Sequence, residues 1–118
     1  MIQRLSLLLA SLLSVAGAAA AQERTEELAA SGRKLALSVC GNCHVVEKGQ
    51  KPPILKPPAP AFASLVARGG FDEQKLRNFL SSPHANYGRW RKMPNPRLAD
   101  FEVDEIVVYF NEMKARAR

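Results

Sequence analysis

The chain has 118 residues, 17 lysines and arginines against 11 aspartates and glutamates, a formal charge of +6 and two cysteines. That length fits one domain. The acids are interspersed among the bases, which leaves no clustered stripe of the kind that nucleic-acid binding needs.

The chain opens with MIQRLSLLLASLLSVAGAAAAQ. Arg4 is followed by an apolar run from Leu5 to Val15 and then by small residues from Gly17 to Ala21, the three-part pattern of a secretory signal peptide. The apolar run is shorter than the roughly 20 residues that span a bilayer. The expectation is therefore a signal peptide over residues 1–21, cleaved before Gln22. The mature domain is 22–118, exported to the periplasm and not held in a membrane. A domain of that size buries a modest core and often recruits a staple. A disulfide between Cys40 and Cys43 would close too small a loop to restrain the unfolded chain.

Glu23 to Val39 reads as a helix, with Thr25, Glu26 and Glu27 at its start and Leu28, Leu35 and Val39 spaced for one face. Gly32 lies between them at a cost of roughly 1 kcal/mol relative to alanine. A glycine inside a helix often marks the close approach of another backbone. From Val45 to Pro60 the chain reads as loop, because Gly49 and the prolines at 52, 53, 57, 58 and 60 suit neither helix interior nor central strand. Phe62, Leu65 and Val66 indicate a short helix stopped at Gly69-Gly70. Asp72 is placed to cap a third helix through Leu76, Phe79 and Leu80, which stops before Pro83. A second long loop with Pro94 and Pro96 leads to a last helix over Val103 to Lys114. Its apolar set is Val103, Ile106, Val107, Phe110 and Met113. The fold class is all-α, four helices with no convincing strand. Two loops of this length in so small a domain need a reason, and wrapping a large planar cofactor supplies one.

Cys40-Gly41-Asn42-Cys43-His44 is the attachment motif of a c-type haem. The helix delivers Cys40, and the turn through Gly41 and Asn42 brings Cys43 to the second vinyl group. His44 is left to bind the iron as proximal ligand. A thioredoxin-like CxxC needs a βαβ context that this sequence lacks. A zinc site needs further ligands, and His84 is the only other histidine. For the sixth ligand, Met93 sits on a loop stiffened by Pro94 and Pro96, and Pro94 biases it to extended backbone. The rivals are His84 and an open position. Met113 reads as core.

With these pieces in hand, the chain resembles a monohaem class I cytochrome c over about residues 25–115. The resemblance is carried by Gly32-x-x-Leu35-Ala36-x-x-x-Cys40-x-x-Cys43-His44, by Met93-Pro94 and by Glu105-Ile106-Val107-Val108-Tyr109-Phe110. It implies a first and a last helix crossing near a right angle, with Gly32 against Ile106 and Tyr109. Where that family often has an aromatic, this chain has Ala36, which implies a differently packed crossing. The resemblance also implies a proline carbonyl that accepts a hydrogen bond from the ligand histidine, with Pro52 and Pro53 as the candidates. The segment ANYGRWRK, residues 85–92, looks like an insertion before Met93. It offers Trp90 to the haem edge, to a partner or to solvent.

The function implied is electron transfer by one covalent haem c iron held by His44 and Met93, with no turnover of its own. The expected partners are a donor and an acceptor with an acidic docking face, steered by Lys48, Lys51, Arg91 and Lys92. The monomer is the default. The alternatives are a haem subunit of a periplasmic oxidoreductase complex and, behind it, a haem-based gas sensor.

Overall fold

The structure, a computed structural model, describes residues 2–67, 72–81 and 93–117, with helix side chains from Gly17 onward. Helix α1 is Ile2–Val39, α2 is Phe62–Ala67, α3 is Glu73–Ser81 and α4 is Asp100–Arg116. Among the described residues there is no strand, only an isolated parallel bridge between His44 and Ala59. The all-α reading therefore stands. His84, the segment 85–92 with Trp90, Arg91 and Lys92, and the Gly69-Gly70 stop lie outside the described residues.

Helix α1 starts well before the predicted Glu23 and runs for 38 residues without a break at Gln22. Residues 17–27 are exposed along it, and packing starts at Leu28 and Ala29. No helix among the described residues is long and apolar enough to cross a membrane.

The buried face of α1 differs from the predicted one. Ala29, Gly32 and Ala36 are buried, Leu28 and Leu35 are half-buried, and Val39 is 42% exposed. The reason lies in how close α4 comes. A Cβ added at Gly32 would sit 2.0 Å from the Glu105 carbonyl oxygen and 3.1 Å from the Tyr109 Cβ. The expected partners were Ile106 and Tyr109. Tyr109 is one, and the tighter contact is the Glu105 backbone. Only small side chains fit where two helix backbones approach like this, so the contact stripe is Ala-Gly-Ala and the leucines flank it. Ala36 is fully buried, which accounts for the missing aromatic at that position.

Helix α4 buries Val103, Ile106, Val107, Tyr109 and Phe110, with Met113 half-buried against them. Its buried residues follow the expected helical spacing, but it begins earlier than Val103. The Glu102 carboxylate accepts a hydrogen bond from the Ala99 N–H at 2.8 Å and closes the first turn. Asp100 and Glu102 at the start and Lys114 and Arg116 at the end complement the helix dipole. Helix α3 is capped as expected, with Asp72 Oδ1 accepting from the Lys75 N–H at 2.8 Å. It buries Leu80 and leans Leu76 and Phe79 on the same core. Helices α2 and α3 both pack on α4. Arg77 ties α3 to α4 through Asp104, and Asn111 donates to Glu73 at 3.1 Å.

Candidate haem-attachment site

The site is assembled where α1 ends. The Cys40 and Gly41 N–H groups both donate to the Ala36 carbonyl, at 2.8 and 3.1 Å, so the helix ends in a wider turn, five residues long, as it delivers the first cysteine. The Cys43 and His44 N–H groups then both donate to the Cys40 carbonyl, at 3.0 and 2.8 Å. The shared acceptor folds the Gly41-Asn42 turn back and sets both cysteine side chains and the imidazole on one short stretch of backbone.

Both cysteines are half-buried free thiols. Burial, helped by the neighbouring Cys43, pushes the Cys40 thiol up to about 11. A CxxC built for disulfide exchange does the opposite and lowers its pKa to expose a thiolate.

His44 is buried, and its ring is held at one nitrogen. Its Nδ1 lies 2.8 Å from the Pro60 carbonyl oxygen. A carbonyl has no hydrogen to give, so Nδ1 carries the proton and donates it. The Nε2 lone pair is left for a metal. The expectation that Pro52 or Pro53 would accept this bond is corrected: the acceptor is Pro60. The cause is the path of the loop. The Ala59 N–H donates to the Cys43 carbonyl at 2.8 Å and the Phe62 N–H to the Val45 carbonyl at 2.9 Å. Residues 59–62 therefore run alongside 43–45, and the Pro60 carbonyl faces the ring. Pro53 is buried and Pro52 exposed, on a part of the loop that instead packs on the turn, where the Ile54 and Leu55 N–H groups share the Asn42 carbonyl at 2.9 and 3.1 Å.

Phe62 supports the imidazole from the core side. Its ring stands edge-on to His44 at 5.5 Å between centroids and tilts against Phe110 at 4.7 Å. The sequence placed Phe62 in a helix without showing this contact; the signal available was an aromatic soon after a proline. Gln50 was missed as well. Its side-chain oxygen accepts from the Val46 and Glu47 N–H groups at 2.6 and 3.0 Å, and its nitrogen donates to the His44 and Gly41 carbonyls at 3.0 and 3.4 Å. Arg33 reaches from α1 to Glu47 with both ends of its guanidinium, at 2.5 and 2.6 Å. Met93 is half-buried and packs against the core cluster that contains Phe62 and Phe110.

The residues present suit a covalently held haem. Two half-buried cysteines sit either side of a turn, a buried imidazole has its Nδ1 fixed by Pro60, and a half-buried thioether lies on the same core. Over 86 residues the chain is 35% identical to cytochrome c-552 of Bradyrhizobium diazoefficiens, covering 73% of this chain and 75% of that protein. No family model matches, and no solved structure matches. The chain belongs to the small class I c-type cytochromes. It carries a covalently bound haem c with its iron, and it is an electron carrier that works with redox partner proteins.

Proposed function

We propose that the protein is a periplasmic one-electron carrier whose haem is joined to Cys40 and Cys43, with His44 as proximal and Met93 as distal iron ligand. The observation that carries this reading is the hydrogen bond from His44 Nδ1 to the Pro60 carbonyl, because it fixes the tautomer and turns Nε2 toward a ligand role. The haem supplies the chemistry, a one-electron change between ferrous and ferric iron. The polypeptide does the rest. Cys40 and Cys43 hold the macrocycle, Pro60 and Phe62 orient the imidazole, and Met93 fills the sixth position so that no site is left for a substrate. Phe62 and the core cluster behind it shield the His44 ring from water.

Export is supported by the signal-like residues 1–21 and by the exposed helix from Gly17 to Glu27, which lies ahead of the first packed residues. Lys48, Lys51 and Lys56 are exposed on the loop that rests on the attachment turn, beside the exposed Ile54 and Leu55. That arrangement suits an acidic docking face, whose effect falls mainly on association rate.

The test is expression with haem-attachment machinery of the wild type and of a Cys40→Ser/Cys43→Ser variant. Mass spectrometry of the wild type is expected to show one haem added and residues 1–21 removed, and the ferrous protein is expected to refuse carbon monoxide at neutral pH. The double variant is expected to carry no covalent haem. Rapid carbon monoxide binding by the wild type would contradict Met93 ligation and favour a sensor.

A further inference from the structure

The loop from Gly41 to Ala61 has almost no regular structure, yet its backbone polar groups need partners where they are shielded from water. At the attachment turn one side chain meets that need. Gln50 is half-buried, and its amide uses its full capacity: two N–H groups reach its oxygen, and its nitrogen reaches two carbonyls. The orientation of the amide is fixed by these partners. Exchanging its oxygen and nitrogen would set N–H against N–H and oxygen against carbonyl oxygen at all four contacts.

The partners matter more than their number. The donated bonds go to the carbonyls of Gly41, inside the motif, and of His44 itself. The accepted bonds come from Val46 and Glu47, the residues that carry the chain away from the histidine. Gly49 makes this reach feasible. Its φ is +87°, and a Cβ there would meet nothing within 4 Å, so the glycine is needed for its backbone conformation and not for space. The chain reverses at Gly49 and turns the Gln50 amide back onto the turn. His44 is thus held through its ring by Pro60 and through its carbonyl by Gln50.

We propose that Gln50 is a positioning residue for the proximal ligand. By clamping the backbone on both sides of His44 it fixes the direction in which the imidazole leaves the chain and keeps its Nδ1–H on the Pro60 carbonyl. It thereby sets how strongly the ring donates to iron. This inference rests on the assignment of His44 as proximal ligand. Loosening the clamp weakens the Nδ1–H bond, makes the imidazole a poorer donor, stabilises the ferric state less and raises the reduction potential.

The experiment uses the haem-loaded protein. Gln50→Met keeps the side-chain length and removes all four hydrogen bonds. Gln50→Glu keeps the two accepted bonds and removes the two donated ones, and it carries the exchange test if the first variant does not fold. In both, exchange of the His44 Nδ1 proton is expected to speed up by about tenfold or more relative to the amide proton of Ile106, a core residue that reports global opening. The potential of Gln50→Met is expected to rise. Arg33→Ala, which cuts the other tie to the same loop, is expected to leave both readouts at wild-type values. Equal acceleration of the His44 and Ile106 protons, with an unchanged potential, would overturn the proposal and reduce Gln50 to a stabilising residue. Failure of the underlying reading looks different: the wild type itself would then show no iron-shifted resonances from the His44 ring.

Discussion

The α1–α4 crossing and the loop from Gly41 to Ala61 lie next to each other and are held by different physics. The crossing is apolar and depends on shape. Its backbone groups are satisfied within each helix, and what decides the contact is that Ala29, Gly32 and Ala36 let the Glu105 backbone come close. The loop is polar and depends on connectivity. Its backbone groups are satisfied by the Asn42, Cys43 and Val45 carbonyls, by the Gln50 amide and by Pro60 receiving the His44 ring. A packed contact fails when volume is added, and a hydrogen-bonded one fails when a partner is removed. The two regions therefore break under opposite kinds of substitution.

The largest effect is expected at the crossing. Gly32→Ala puts a carbon 2.0 Å from the Glu105 oxygen, inside any real contact distance, and the obstacle is backbone that cannot swing aside. The helices must separate, at a cost of about 4 kcal/mol or more, among the largest single-residue effects. Thermal unfolding of the haem-loaded variant measures it. Phe62→Ala comes next. It removes the ring that joins His44 to Phe110 and is expected to cost about 3 kcal/mol. Because the ring touches both regions, this variant is also expected to disturb the His44 resonances, which Gly32→Ala reaches only by loosening the whole fold.

Within the loop, Gln50→Met is expected to cost about 1–3 kcal/mol, since it leaves two carbonyls and two N–H groups to find water. A cost near that of Gly32→Ala would show that the loop and the crossing form one cooperative unit. A smaller pH effect belongs to Tyr109, on the crossing. Burial, with the Glu47 charge, raises its phenol above the ordinary value. Below about pH 10 the phenol is neutral in both states and its contribution is fully present. As pH rises further the unfolded chain ionises first, so stability falls until the folded phenol also titrates. Tyr109→Phe is expected to flatten that alkaline limb in denaturant titrations. The smallest effect is at the α3–α4 tie. Asn111, followed by Arg77, holds the Glu73 carboxyl below the usual carboxylate range. Its contribution is present above the unfolded carboxylate value and is lost as pH falls through the folded one. Glu73 is half exposed, so Asn111→Ala is expected to shift the acid midpoint only slightly.

This contrast also explains what could be read from the chain. Helix α4 was legible because Val103, Ile106, Val107 and Phe110 repeat with the helical period. The Asp72 cap was legible because local hydrogen bonds follow local sequence. The turn from Cys40 to His44 was legible as a motif because the proposed haem attachment needs CGNCH at fixed spacing. The buried face of α1 was misread because leucines draw attention and the true contact is made of small residues chosen by a distant backbone. The acceptor for His44 was misplaced at Pro52 or Pro53 because five prolines offered carbonyls. Which one meets the ring depends on pairing between residues 43–45 and 59–62, and neither period nor propensity encodes that pairing. Gln50 gave no signal at all. Its role comes entirely from the turn at Gly49.

The central claim is ligation of the haem iron by His44 and Met93, and the most direct test is the ferric optical spectrum of the mature holoprotein beside that of Met93→Ala. The wild type is expected to show the weak long-wavelength band of a methionine–iron bond and the variant to lose it, with covalent haem retained in both. A wild type without that band, or a variant that keeps it, would exclude Met93 as the iron ligand.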